Sequence, residues 1–383
     1  VIDIDQALRA LVACDGSDLH ITGGSPPMAR INGELEPLRI EGWPDLEASD
    51  IDEALRVLLG KGPRLEEFEE RHEIDFSREI QGVARFRINA RHQRGGILLV
   101  ARAIPHRIRT IDELALPPVV ARLAEEQRGI ILVTGTTGSG KSTTLAAMID
   151  YINVNRAASI VTIEDPIEFV HHNKRSMVGQ REIGVDTLGF KEALRHVLRQ
   201  DPDVILIGEM RDEETVQTAL SAAETGHLVL STVHTLDAAE SVNRMLEFFP
   251  ANHHQQVRAM LASTLRGVIS QRLVPASDGG RVAVCEVLRM TGRVHDKVLN
   301  NDPNIDLTTV ISEGAYDGMQ TFDQALFKHV DSGRVTIEDA MNAATSPHDF
   351  KLLLGSEGRI GTTMHDVVDA GGVAAVHDVA EAA

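Results

Sequence analysis

Between residues 129 and 152 the chain reads GIILVT, then GTTGSGKS, then a stretch with Leu145, Met148, Ile149 and Ile152 at helical spacing. This order constrains the fold more than any other feature. A short apolar strand, a glycine-rich turn and a helix are the parts of a phosphate-binding loop. Here the loop is Gly135, Thr136, Thr137, Gly138, Ser139, Gly140, Lys141 and Ser142, in the pattern GxxxxGK[ST]. The glycines let successive backbone N–H groups turn toward one phosphate. The following helix aims its positive dipole end and its first N–H groups at the same point. Lys141 then reaches the β- and γ-phosphates, and the Ser142 hydroxyl serves Mg2+. The expected binding set is Thr137, Gly138, Ser139, Gly140, Lys141, Ser142 and Thr143, and the expected ligand is a nucleoside triphosphate.

Kinases, GTPases and motors share such a loop, so the other strand ends must sort them. Apolar runs at 159–163, 204–207 and 228–233 alternate with helical segments, a rhythm that predicts a parallel sheet covered by helices on both faces. In such a sheet the carboxyl ends of neighbouring strands converge on the ligand. Glu164 follows the first of these runs and Glu209 the second. One carboxylate there can hold Mg2+ while the other orients and deprotonates the attacking water. His227 and His234 bracket the third run, which puts His234 on the nucleotide side, where it can sense the γ-phosphate and report its loss. From about 250 onward helical patterns are expected to dominate.

The first hundred residues read as a mixed α/β module. A helix is expected over 4–12, strands at 19–21 and 28–31, an Asn32-Gly33 hairpin turn, and a second helix over 51–59. In RFRINAR (85–91), Phe86, Ile88 and Ala90 alternate with Arg85, Arg87, Asn89 and Arg91, so one face of a strand is apolar and the other basic. Seven arginines and no Asp or Glu occur from Arg85 to Ile111, although acids outnumber Lys and Arg 57 to 38 and the net charge is −19. This local reversal is either a solvated face or a basic wall aimed at an anion.

The overall acidity and the 3% aromatic content argue against nucleic-acid binding. Apolar runs are far shorter than the ~20 residues of a membrane-spanning helix, and acids stand where a signal peptide would carry basic residues. Cys14 and Cys285 are too few for a four-cysteine zinc site. A cytoplasmic protein without zinc is expected.

The runs ILVTGTTGSGKSTTLAAMIDYIN, TIEDPIEFVH, DTLGFKEALRHVLRQDPDVILIGEMRDEET and SAAETGHLVLSTVHT resemble, in order, the Walker A, Asp box, Walker B and His box of the secretion-superfamily ATPases of type IV pili. DGSDLHITGGSPPMARINGEL and GVARFRINARHQRGG resemble the small PAS-like domain of the same proteins, so the similarity runs over 1–345. The chain most resembles the PilT-type retraction ATPases. That resemblance implies an α/β fold: a PAS-like N-terminal domain, then a RecA-like P-loop ATPase core with a helical C-terminal part. It implies ATP and Mg2+ as ligands, with Glu164 acting on the attacking water and Glu209, like Ser142, serving Mg2+. Arg87 and Arg102 match arginines that the family projects toward nucleotide phosphates, and with Lys141 and His234 they complete the expected catalytic set. The implied assembly is a homo-hexamer, peripheral at the inner face of the cytoplasmic membrane, acting on an inner-membrane pilus platform protein in pilus retraction.

Expected boundaries are 1–104 for the PAS-like domain, 105–117 for a linker, 118–345 for the ATPase domain and 346–383 for a tail. Pilus-assembly and type II secretion ATPases of the superfamily have longer N-terminal regions and typically a four-cysteine zinc module, which favours the retraction branch here. Against it, 293–300 (RVHDKVLN) keeps only Val294 and Val298 of the retraction motors' AIRNLIRE-like segment, whereas GMQTFDQAL (318–326) matches. An assembly or secretion ATPase and a regulatory nucleotide-binding subunit are the alternatives.

Overall fold

The structure is a computed structural model and describes residues 2–31, 33–40, 43, 46–104 and 107–356. It divides into two compact units, Val1–Ile108 with Asp165–His172, and Arg109–Glu164 with Asn173–Ala383.

The first unit contains α1 (Ile4–Ala13), β1 (Asp18–Thr22), β2 (Met28–Ile31), β3 (Glu34–Pro37), α2 (Ala48–Leu59), α3 (Pro63–Arg71), β4 (Glu73–Ile80), β5 (Ala84–Gln93) and β6 (Gly96–Ile104). Its strands form one antiparallel sheet in the order β3-β2-β1-β6-β5-β4. Alternation decides its layers. Leu19, Ile21, Phe86, Ile88, Leu99 and Ala101 pack against the apolar stripes of the helices, including Leu8, Leu11, Ile51, Leu55 and Phe68. The other face carries Arg87 and Arg91, both exposed. β2 and β3 form the expected hairpin, with Ile31 opposite Glu34. Gly33 has φ +93°, as a tight hairpin turn requires, and Asn32 lies outside the described residues.

The second unit contains α4 (Val119–Ala124), β7 (Gly129–Thr134), α5 (Lys141–Asn155), β8 (Ser159–Glu164), β9 (Met177–Glu182), α6 (Phe190–Val197), β10 (Val204–Ile207), α7 (Glu213–Glu224) and β11 (Leu228–Val233). After these come α8 (Ala238–Glu247), α9 (His254–Thr264), β12 (Leu265–Pro275), β13 (Arg281–Arg289), α10 (Gly292–Asn300), α11 (Leu307–Glu313), α12 (Phe322–Asp331), α13 (Ile337–Ala343) and α14 (Pro347–Ser356). The sheet order is β13-β12-β7-β11-β10-β8-β9. Every residue of β7, β10 and β11 is buried, because helices cover both faces. Ile130 and Leu132 face α6 to α11, whereas Ile131 and Val133 face α4 and α5.

Three expectations need correction. The sheet is not wholly parallel: β13 pairs antiparallel with β12. That pair also breaks the helical pattern expected beyond 250. Val268, Ile269, Val274, Val282, Val284 and Val287 supply β-branched, fully packed strands, and Asp278-Gly279-Gly280 supplies the turn between them. The tail expected from 346 does not begin there, since α14 buries Phe350 and Leu354 completely against Phe322, Leu326 and Ala340. The stretch 361–383, expected to fray, lies outside the described residues, as does Pro105 of the expected linker. The degenerate 293–300 segment is a helix, α10, and the two apolar positions it keeps, Val294 and Val298, are its buried ones. No helix among the described residues is long and apolar enough to cross a membrane.

Candidate active site

Parallel register sets the site. Val233 pairs with Thr134, Ser231 with Ile207, and Ile207 with Ile163, so the strands β7, β11, β10 and β8 end side by side. The phosphate loop leaves β7. His234, Glu209 and Glu164 then stand one, two and three strands away, or about 5, 10 and 14 Å along the sheet at ~4.8 Å per strand.

Within the loop Gly135, Gly138 and Gly140 take φ of +140°, +81° and +91°, which side chains rarely adopt. Thr136, Thr137 and Gly138 form its exposed rim, and Ser142 and Thr143 are partly exposed at the start of α5. Lys141 is buried and donates from Nζ to the carbonyls of Gly135 (2.8 Å) and Thr136 (3.0 Å), which closes the loop on itself. Ser139 Oγ is buried and has no hydrogen-bond partner among the described residues. A buried hydroxyl, an ammonium group and a helix N-terminus gathered in one turn fit the oxygens of a phosphate. The Ser142 hydroxyl and the Glu209 carboxylate are the hard oxygen donors that Mg2+ prefers.

The structure brings Glu209, His234 and Arg211 together. Glu209 Oε2 lies 2.8 Å from an Arg211 nitrogen, and Oε1 lies 3.3 Å from His234 Nε2. Burial pushes the Glu209 carboxyl up, but the Arg211 hydrogen bond and charge, with His234, outweigh it and hold its pKa below the usual carboxylate value. Glu164 is anchored separately: its Oε1 accepts from Thr162 Oγ1 (2.6 Å) and from Gln180 Nε2 (3.1 Å) on the neighbouring strand β9. His227 sits at the far end of β11, where Nδ1 is 2.9 Å from the Ala222 carbonyl at the end of α7.

Arg87 and Arg102 belong to the first unit and are directly opposed on β5 and β6. Asp18 faces Arg102 on β1, and its Oδ1 accepts from Arg102 Nε at 2.7 Å. Asp18 is buried, while the Arg102 side chain is 72% exposed. The carboxylate thus fixes the root of the guanidinium and leaves its outer edge accessible.

Two polar groups not read from the sequence reach the site from the β12–β13 hairpin. Gln271, on β12, bonds to the loop through its side-chain amide. Glu286, on β13, is buried and accepts from the Ala238 N–H (2.9 Å) at the start of α8, four residues past His234. The one available signal was polarity inside strands that are otherwise apolar. Burial pushes the Glu286 pKa from 4.5 up to about 7, an effect that the Ala238 N–H opposes and Asp237 reinforces. As pH rises from 4.5 to 7 the unfolded chain ionises at this residue before the folded one does. Stability is therefore lost across that window, by on the order of 3 kcal/mol when complete. Glu286→Gln keeps the acceptor and cannot ionise. Thermal unfolding is expected to show a higher melting temperature than wild type at pH 8 and a gap that narrows toward pH 5. A constant gap would exclude a buried titrating carboxyl.

A RecA-like sheet with a phosphate loop, strand-end acids and an added antiparallel N-terminal unit defines a P-loop ATPase. The family model described as type II/IV secretion system protein matches residues 99–342, and the chain belongs to this family, within its PilT-type branch. It is 45% identical over 349 residues to the type IV pilus retraction ATPase PilT of Pseudomonas aeruginosa, covering 91% of this chain and 100% of that protein. Identity to a twitching motility protein of Neisseria gonorrhoeae is 44% over 327 residues, 85% of this chain and 86% of the relative. The crystal structure of the pilus retraction motor PilT with bound ADP matches with a TM-score of 0.84 and 42% identity, covering 92% of this chain and all of that one.

Proposed function

We propose that this chain is an ATP-hydrolysing motor for type IV pilus retraction. It works as a homo-hexamer at the inner face of the cytoplasmic membrane and passes its stroke to an inner-membrane platform protein. The observation that carries the reading is the Glu209–His234 contact beside the phosphate loop, which couples an acid suited to Mg2+ with a histidine just past the end of β11, the strand next to β7.

In this reading Lys141 and the loop N–H groups hold the β- and γ-phosphates. Mg2+, held by Ser142 and Glu209, would offset charge on the phosphate oxygens. Glu164 receives the proton of the attacking water, and its bonds to Thr162 and Gln180 keep the carboxylate oriented. His234 registers the departing γ-phosphate through its contact with Glu209. Arg87 and Arg102 reach the phosphates of a neighbouring subunit, as arginine fingers supplied in trans do. A head-to-tail interface of this kind closes into a ring.

The test joins two measurements. Purified protein is expected to release phosphate in a Mg2+-dependent manner, and deletion of the gene is expected to leave cells with excess pili that do not retract. Bald cells would reassign the chain to pilus assembly. Absence of phosphate release would make it a regulatory nucleotide-binding subunit.

A further inference from the structure

We propose that Gln271 is a positioning residue that holds the Ser139–Gly140 peptide of the phosphate loop in its ligand-binding orientation. The inference rests on the reading of that loop as the nucleotide site and adds a residue to it. Gln271 lies on β12, which pairs with β7 on the edge opposite β11. The acids and His234 thus approach from one side of the loop strand and Gln271 from the other.

The residue is 2% exposed, and both ends of the side-chain amide are engaged. Oε1 accepts from Thr144 Oγ1 at 2.7 Å, in the first turn of α5. Nε2 donates to the Ser139 carbonyl at 2.8 Å. The Ser139 carbonyl can only accept, so it turns the NH2 end of the amide to the loop, and the Thr144 hydroxyl, able to donate or accept, holds the other end in place. In a planar trans peptide the carbonyl oxygen and the next N–H point in opposite directions. With the Ser139 oxygen held toward β12, the Gly140 N–H is turned away from β12.

Two glycines show how closely residue 271 is built against the loop. A Cβ on Gly140 would stand 2.7 Å from Gln271 Nε2, and one on Gly135 would stand 2.4 Å from the Gln271 carbonyl oxygen. The side chain thus meets the last glycine of the loop and the backbone meets the first. A carbonyl left free to rotate would let the peptide flip and present an oxygen where a phosphate needs a donor.

Gln271→Met keeps length and unbranched shape but neither hydrogen bond, and Thr144→Val removes the group that tethers the far end of the amide. The measurements are the Kd for MgADP, from a fluorescent analogue and competition, and the melting temperature without nucleotide. Gln271→Met is expected to raise the Kd about tenfold, as loss of one well-placed donor does. Thr144→Val is expected to raise it less. The double variant is expected to bind no more weakly than Gln271→Met, since Thr144 acts through Gln271. A wild-type Kd in Gln271→Met overturns the proposal, whether or not the melting temperature falls, because the side chain then only fills space. If Gln271→Met does not fold, Thr144→Val carries the test, and an unchanged Kd there overturns it equally. Failure of the wild-type protein to bind MgADP is a different result and removes the nucleotide reading of the loop itself.

Discussion

Lys141→Ala is expected to reduce ATP hydrolysis by about a thousandfold or more, with nucleotide affinity falling alongside, because in the proposed site one residue serves both binding and charge compensation at the reacting phosphate. The ammonium is buried at the first position of α5 and spans the loop to Gly135 and Thr136. Alanine removes that closure and the only charged side chain in 135–142. The fold is expected to survive. Alanine is a good helix former, and the packing of α5 rests on Leu145, Met148, Ile149 and Ile152, all buried beyond the loop. A phosphate-release assay beside a melting curve checks both halves. Turnover near wild type in a folded variant would remove Lys141 from the chemistry.

Glu209→Gln is expected to separate binding from turnover. The amide keeps the size of the side chain and loses its charge, so Arg211 and His234 face a neutral group. Hydrolysis is expected to fall by roughly a hundredfold to a thousandfold, the scale seen when one electrostatic contributor to a phosphoryl or acyl transition state is lost. Nucleotide affinity is expected to stay within about threefold, since the loop and Lys141 are untouched. Single-turnover hydrolysis and equilibrium binding measured on one preparation distinguish the two quantities. A variant that hydrolyses as wild type does would show that Glu209 only pairs with Arg211 and His234 and takes no part in turnover.

The parts of the site that were legible in the sequence are those whose signal is local. β7, β10 and β11 occupy the residues expected for them, since fully buried strands bounded by glycine, charged residues or histidine stand out as uninterrupted apolar runs. The alternation in 85–91 is equally local, and Phe86, Ile88 and Ala90 are buried while Arg87 and Arg91 are exposed. What escaped is what long-range pairing decides. β12 and β13 contain Arg266, Ser270, Gln271, Arg272 and Glu286 among their apolar residues, which blurs a strand pattern. Their place beside β7 follows from pairing with a segment far earlier in the chain. Gln271 carries no motif, and its partners lie 127 and 132 residues away. The helix at 347–356 is illegible for a related reason: Phe350 and Leu354 are too sparse to predict a helix alone, yet they find a surface on α12 and α13.

The position of β12 also has a bearing on biosynthesis. A ribosome completes the phosphate-binding turn long before it makes the strand that steadies that turn. Until residues 265–275 emerge, β7 has one bare edge, ready to pair with whatever extended chain is nearby. A nascent fragment ending ahead of Leu265 would thus carry every signature residue from Gly135 to His234 and still lack the strand whose Gln271 bonds to the loop. On the proposed role of Gln271, competence for nucleotide would come late in translation, with a strand hairpin that lies outside the signature motifs.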